Sequence, residues 1–232
     1  MAKYTPGPTV GSISGSIGGT TYTHNRYGPV MRTRAVPTNP NTEYQQSIRG
    51  LLASTSQAFQ GLTDAQRAAW TTWAQTHPIT DRLGQSQIVT GHIAYVRLNV
   101  RLAQAGDSAI SEPPAAAPPT GLTSLTLTAD LVTAGWSIAF TATPLDDDDR
   151  LVVLAAVVTS ASINYVDNLL KQVTISDKAQ ATDLDNLSDI EDRFGTLQVD
   201  QKVVILAHVL DSTTGLISGS LRNDQIVVDT TV

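Results

Sequence analysis

Histidines are the first residues to test for chemistry, and the chain has four: His24, His77, His92 and His208. No two lie at a spacing that would bring paired imidazoles to one zinc ion, so no metal centre is expected from them. A Ser-His-Asp triad needs no contiguity, but no serine here occupies a G-x-S-x-G elbow. His208 stands inside the apolar run Val203–Leu210, where a core or sheet-face position is the plain expectation. Glycan cleavage needs paired carboxylates across a cleft, and the chain has only Glu43, Glu112 and Glu191 as glutamates. The run Gly11-Ser-Ile-Ser-Gly15-Ser-Ile-Gly18-Gly19 has the small residues of a phosphate loop but lacks the Gly-Lys-Ser/Thr ending. Its glycines would let the backbone lie flat on a neighbouring surface. No catalytic residue and no cofactor is expected, and the chain reads as a non-enzymatic protein.

Two charged clusters remain. Asp146-Asp147-Asp148-Asp149 offers hard oxygen ligands, yet lacks the spaced D-x-D-x-D-G pattern of a calcium loop. Adjacent residues of an extended segment point in opposite directions, so a solvated turn is expected. Arg26, Arg32, Arg34 and Arg49 form a basic stretch with Tyr22 and Tyr27 nearby. Nucleic acid is one partner for such a stretch, and arginine equally anchors protein interfaces. The net charge of −6 ranks protein first. Its distribution is uneven: residues 1–105 hold nine Lys/Arg against three Asp/Glu, and residues 106–232 hold six against eighteen. Halves of +6 and −12 suit head-to-tail association of copies, or a basic half facing an acidic partner.

The elements that would position these residues follow from composition and period. Residues 1–41 are rich in glycine and proline and read as an extended arm, with short strands around 20–23 and 30–36. Within it Ile13, Ile17, Tyr22, Arg26, Tyr27, Arg32 and Arg34 are spaced as contact residues. Residues 42–106 read as a helical domain. Capping boxes at Thr42–Gln45 and Thr63–Gln66 start two helices, and Gly61 and His77-Pro78 stop them. Trp70 and Trp73 lie on the apolar face of the second helix and complete the candidate contact set. A third helix is expected over 87–105, although Val96, Leu98, Val100 and Leu102 alternate as in a strand.

Residues 107–121 read as a proline-alanine linker and domain boundary. Residues 122–232 carry seven candidate strands: 122–128, 135–143, 151–160, 170–175, 202–210, 214–220 and 225–230. A helical turn over 186–194 ends at Gly195. Seven strands in such a length predict an immunoglobulin- or fibronectin-like sandwich with Trp136 in its core. The predicted class is therefore α+β in two domains. The chain has no cysteine, no apolar run long enough to span a membrane and no signal-peptide core at its start, so assembly in the cytoplasm is the expectation.

Several segments carry a resemblance. The G-x-x-S-G-x-x-G run from Gly11 to Gly18 is followed by Asn39-Pro40-Asn41-Thr42-Glu43-Tyr44-Gln45 with Arg49. Leu62-Thr63 with Arg67 and Trp70, then Gly91-x-x-x-Tyr95 with Asn99, complete the pattern. Over roughly residues 7–106 the chain resembles a group of small uncharacterised proteins of tailed phages and prophages. The resemblance implies a structural virion role in head decoration, neck or tail, with other virion proteins and copies of itself as partners. It supplies no catalytic residues. The competing expectation is a packaging or regulatory protein that binds nucleic acid through the basic half.

Overall fold

The computed structural model describes residues 2–26, 28–36, 38–80, 85–131, 136–141, 145–181 and 183–229. The fold is mixed α+β, with four helices and several antiparallel sheets among the described residues. Contacts divide the chain into two compact units, Met1–Ser47 and Ile48–Val232.

The first unit is a small antiparallel sheet where an arm was expected. Its strands β1 (Ala2–Lys3), β2 (Gly15–Ile17), β3 (Thr20–Asn25) and β4 (Gly28–Thr33) lie in the order β1-β4-β3-β2. Gly18 and Gly19 form the two-residue turn between β2 and β3, with Ile17 paired to Thr20 and Gly18 at φ +56°. The Gly-Ser run is thus a strand followed by a hairpin turn that uses glycine's access to positive φ. Tyr4 meets Tyr22 edge-on at 5.6 Å and donates its hydroxyl to the Ile13 carbonyl at 3.1 Å. Val30 is the one buried hydrophobic side chain among the unit's described residues, so this sheet has almost no core of its own.

Helix α1 (Glu43–Gln60) starts with half of its expected capping box: the Gln45 amide donates to Thr42 Oγ1 at 3.3 Å, while Gln45 Oε1 is left without a partner. Helix α2 (Asp64–Thr76) has the complete box at Thr63 and Gln66. Arg67 closes the turn before it by donating from Nε and Nη2 to the Leu62 carbonyl. Two short strands, β5 (Ile79–Thr80) and β6 (Ser86–Gln87), precede helix α3 (Gly91–Gln104). The alternating apolar residues from Val96 to Leu102 are therefore helical, and their number reflects burial from two sides.

Gly91 sets how closely α2 and α3 approach, because a Cβ there would fall 2.7 Å from the Thr71 nitrogen. Across that contact Trp70 is fully buried and meets Tyr95 edge-on at 5.4 Å. Asn99, also buried, replaces a strand partner: its amide donates to the Ile110 carbonyl and its oxygen accepts from the Ile110 amide at 2.7 Å.

Residues 107–121 contain no helix or strand, and several groups pin the segment in place. The indoles of Trp70 and Trp73 donate to the Ser111 and Pro114 carbonyls at 2.9 and 3.0 Å. Asp107 meets Arg150 in a two-pronged ion pair, 3.0 Å on each prong. The expected linker is a strap, and the residues on both sides of it belong to one unit.

The β region comprises a hairpin, β7 (Ser124–Ala129) with β8 (Trp136–Thr141), and a four-stranded sheet. That sheet runs β10 (Lys171–Ile175), β9 (Asp149–Val158), β11 (Lys202–Asp211), β12 (Leu221–Ile226). Alternate residues of the hairpin (Leu125, Leu127, Ile138, Phe140) and of the sheet (Leu151, Val153, Ile205, Val209) meet in one apolar core. Helix α4 (Leu187–Phe194) adds Ile190 and ends at Gly195, as expected. Trp136 is buried in that core and donates to Asn186 Oδ1 at 2.8 Å.

The strand expected over 214–220 is absent. Asp211 instead gathers the amides and hydroxyls of Thr213 and Thr214 at 2.6–3.2 Å, turning the chain so that Ile217 makes a lone bridge to Leu210. Gly215 follows at φ +73°, and a Cβ on it would lie 2.7 Å from the Leu98 carbonyl oxygen. This turn is where the β region meets α3. Leu216 enters the helical core beside Trp70 and Leu98, and Arg101 donates to the Gly215 carbonyl at 3.3 Å. The last strand begins earlier than its expected start at 225, and Val228 adds a parallel bridge to Asp130.

Candidate functional site

The structure separates the expected contact residues into surface and interior. On the small sheet Ile17 is 75% exposed and Arg26, Arg32 and Arg34 are exposed. Ile13 and Tyr22 are half-buried within the sheet, and Tyr27 lies outside the described residues. Trp70 has no surface left for a partner, whereas Trp73 is half-buried and stacks on His77 with ring centroids 4.2 Å apart. The resemblance-bearing residues of the helical region are mostly architectural. Arg67 closes a turn, Gly91 sets a helix approach, and Trp70, Tyr95 and Asn99 form the centre of the packing.

A trough of about 420 Å³ lies between α1 and α3 and is walled by Leu52, Ile93 and Val96, with Leu52 and Ile93 about half exposed. At its side Ser56 and His92 share a hydrogen bond of 2.9 Å. This face of the helices is apolar and faces solvent.

The more polar recess was invisible in the sequence. The last turn of α3 lies over the sheet face opposite the main core, and a cleft of about 200 Å³ opens there. Its polar groups are Arg101 and Gln104 from α3, Gln172 from β10 and His208 from β11, set among Val152, Leu154, Ile175 and Ile217. Burial first, and the neighbouring Arg97 second, pull the Arg101 guanidinium down to about 10. Burial, reinforced by Arg101, drops His208 to about 4, so its ring is neutral at physiological pH. The Nδ1 atom of His208 is buried without a hydrogen-bond partner. Only a register alignment of β9, β10 and β11 with the end of α3 could have revealed this set, because its members lie far apart in sequence.

The acidic run behaves differently from four equivalent solvated carboxylates. Asp149 begins β9 and is only 7% exposed, at the mouth of a cleft that also holds Asp146. Burial first, then Asp146, Asp211 and Asp148, push its carboxyl up to about 6. Asp211 is held below its ordinary value: burial opposes ionisation, but the hydrogen bonds from Thr214 and Thr213 outweigh it. Among the described residues no three His, Asp or Glu side chains converge on a possible metal position. No described helix is long and apolar enough to cross a membrane.

Asp149 gives a pH prediction. Its folded-state carboxyl is raised, so folding takes up a proton and stability falls as pH rises from about 4 through about 6. Asp149→Asn removes that penalty. It is expected to raise stability by about 1–2 kcal/mol at pH 7.5, after allowance for screening at the cleft mouth, and to be near neutral at pH 4. Urea melts of both proteins at the two pH values check this. An equal gain at both would assign the effect to packing.

Comparison with protein-family models, with curated proteins and with solved structures finds no match.

Proposed function

We propose that the chain is a non-enzymatic structural subunit of a tailed-phage virion, a head decoration, neck or tail component that assembles through its amino-terminal sheet and its helices. The observation that carries this reading is the small sheet of residues 2–33. It makes a full set of strand pairings yet buries Val30 alone among its described hydrophobic side chains, and leaves Ile17 and Met31 on the surface. A four-stranded sheet with an uncovered apolar side gains its stability from whatever covers that side. The short β1 and β2 are the edges of this sheet, and each offers backbone donors and acceptors to an added strand. The open trough of Leu52, Ile93 and Val96 adds a second apolar contact surface. The opposed charge of the two halves favours head-to-tail association of copies. In this reading the β region is an immunoglobulin- or fibronectin-like module, a description supported by two β layers closing on one core.

Deletion of residues 1–38 is expected to abolish co-sedimentation with particles while leaving the thermal midpoint of the remainder within a few degrees. The physical basis is that Ile48–Val232 holds its own cores. Retained co-sedimentation would refute the assembly role of the sheet. Association that falls steeply with salt, and only in the presence of DNA, would instead favour the nucleic-acid reading.

A further inference from the structure

We infer that the cleft between the last turn of α3 and strands β9–β11 is a binding site for a small carboxylate with a compact apolar body, held by Arg101 and His208. The inference is independent of the assembly reading, because it concerns a recess on neither the small sheet nor the α1–α3 trough.

The cleft is lined by an unbalanced charge. A guanidinium carries five N–H donors in a planar fork, and a largely buried one is normally met by a carboxylate or phosphate. Arg101 has one protein partner, the Gly215 carbonyl at 3.3 Å. No acidic side chain among the described residues forms an ion pair with it, and the neighbouring charge that acts on it is Arg97, of the same sign. The contrast with the same region is direct: Arg150, also on this sheet face, has a two-pronged carboxylate in Asp107, and Lys202 has Asp224 at 2.8 Å. Arg150 and Lys202 are neutralised by the fold, whereas Arg101, which packs against this face from α3, lines a cavity.

The rest of the lining completes the chemistry. The His208 ring lines the cleft, its Nδ1 is buried without a hydrogen-bond partner, and a neutral ring can donate one hydrogen bond to an anion without adding charge. Val152, Leu154, Ile175 and Ile217 supply apolar walls. Inorganic phosphate would leave those walls facing a hydrated ion, whereas a carboxylate on a ring or short branched chain satisfies both surfaces. The volume of about 200 Å³ suits a ligand well below drug size.

Sodium benzoate is the probe, added to full-length protein with isotope-labelled histidine. The His208 ring resonances are expected to shift saturably with a Kd of about 1–10 mM, the range for so small a ligand. Benzamide, the neutral isostere, loses one charge-assisted contact and inorganic phosphate loses the apolar contact with the walls, so each is expected to bind at least about 10-fold more weakly. Bound benzoate also raises the pH at which His208 titrates, a change that a purely packed histidine would not show. Arg101→Met keeps the aliphatic stem and is expected to remove the saturable shift. If that variant fails to fold, Arg101→Lys keeps the charge without the fork, and a drop of about 5–10-fold is expected. Absence of saturation in wild type at about 50 mM benzoate overturns the site, since binding that weak would be non-specific. Equal shifts with benzamide or phosphate overturn the carboxylate assignment, and unchanged binding in both Arg101 variants overturns the role of Arg101.

Discussion

Replacing Trp70 with alanine is expected to destabilise the chain by about 3–5 kcal/mol, enough to unfold a marginal domain at ambient temperature. The indole has no exposed surface and is the centre of the helical core, edge-on to Tyr95 at 5.4 Å and to Trp73 at 5.9 Å. Its removal deletes the largest fully buried side chain among the described residues and also frees the Ser111 carbonyl that the indole nitrogen satisfies at 2.9 Å. Both losses act together: a cavity between α2 and α3, and a strap that loses one of its ties. Trp73→Ala removes a half-buried ring and its bond to Pro114, so a smaller cost, about 1–3 kcal/mol, is expected. Chemical denaturation of the two variants checks the ranking. Near-equal, near-zero costs would show that the indoles act only in an assembled partner complex.

The helical hairpin was legible because its signals are local. A Thr-x-x-Gln box, a glycine stop and apolar residues three and four apart act within one or two turns, and α1, α2 and α4 appear close to their expected limits. The strands from Trp136 to Lys202 were legible for the same reason, through alternation between turn residues. What escaped depends on pairings distant in sequence. Gly18-Gly19 is an ordinary hairpin signal, yet proline and glycine density in residues 1–41 argued for an arm, and cross-strand pairing prevailed over composition. The segment 214–220 had strand composition, but Asp211 captured the hydroxyls and amides that follow it and Gly215 was drawn against Leu98.

The candidate cleft was illegible for a stricter reason. Arg101 and His208 are separated by more than a hundred residues, and neither is unusual where it stands: an arginine in the last turn of a helix, a histidine in an apolar strand. Their significance in the proposed site comes from the absence, among the described residues, of a carboxylate paired with Arg101 in the cleft that both residues line. A motif is local in sequence, whereas a partly buried cation without a carboxylate is a property of three-dimensional neighbours. The acidic run shows the converse. Its four aspartates stood out at once, but only the register of β9 against β11, which pairs Asp149 with Asp211, distinguishes the buried member from the rest.

Arg150→Met is expected to cost about 3 kcal/mol, and the double variant Asp107→Leu/Arg150→Met is expected to recover most of it. The two side chains are 15% and 8% exposed and meet through both Nε and Nη2 at 3.0 Å, while Arg150 also donates to the Ser176 carbonyl. With Arg150 gone, Asp107 keeps only Lys178 at 3.7 Å, a half-exposed lysine that it shares with Asp148. A buried carboxylate left with so weak a partner bears most of its desolvation cost, which is why removing one member harms more than replacing both. The position of the pair adds a second consequence. Asp107 begins the strap immediately after α3, and Arg150 lies on β9, so this ion pair fastens the helical part to the sheet at the same end as the Arg101–Gly215 bond. Losing it is expected to raise amide exchange first in residues 107–114 and at the end of α3, ahead of the β core built on Leu151, Val153 and Ile205. Hydrogen exchange of the single and double variants reads this directly. Uniform loss of protection across the β core, or a double variant no more stable than Arg150→Met, would show that the pair supports the sheet itself rather than the junction between sheet and helices.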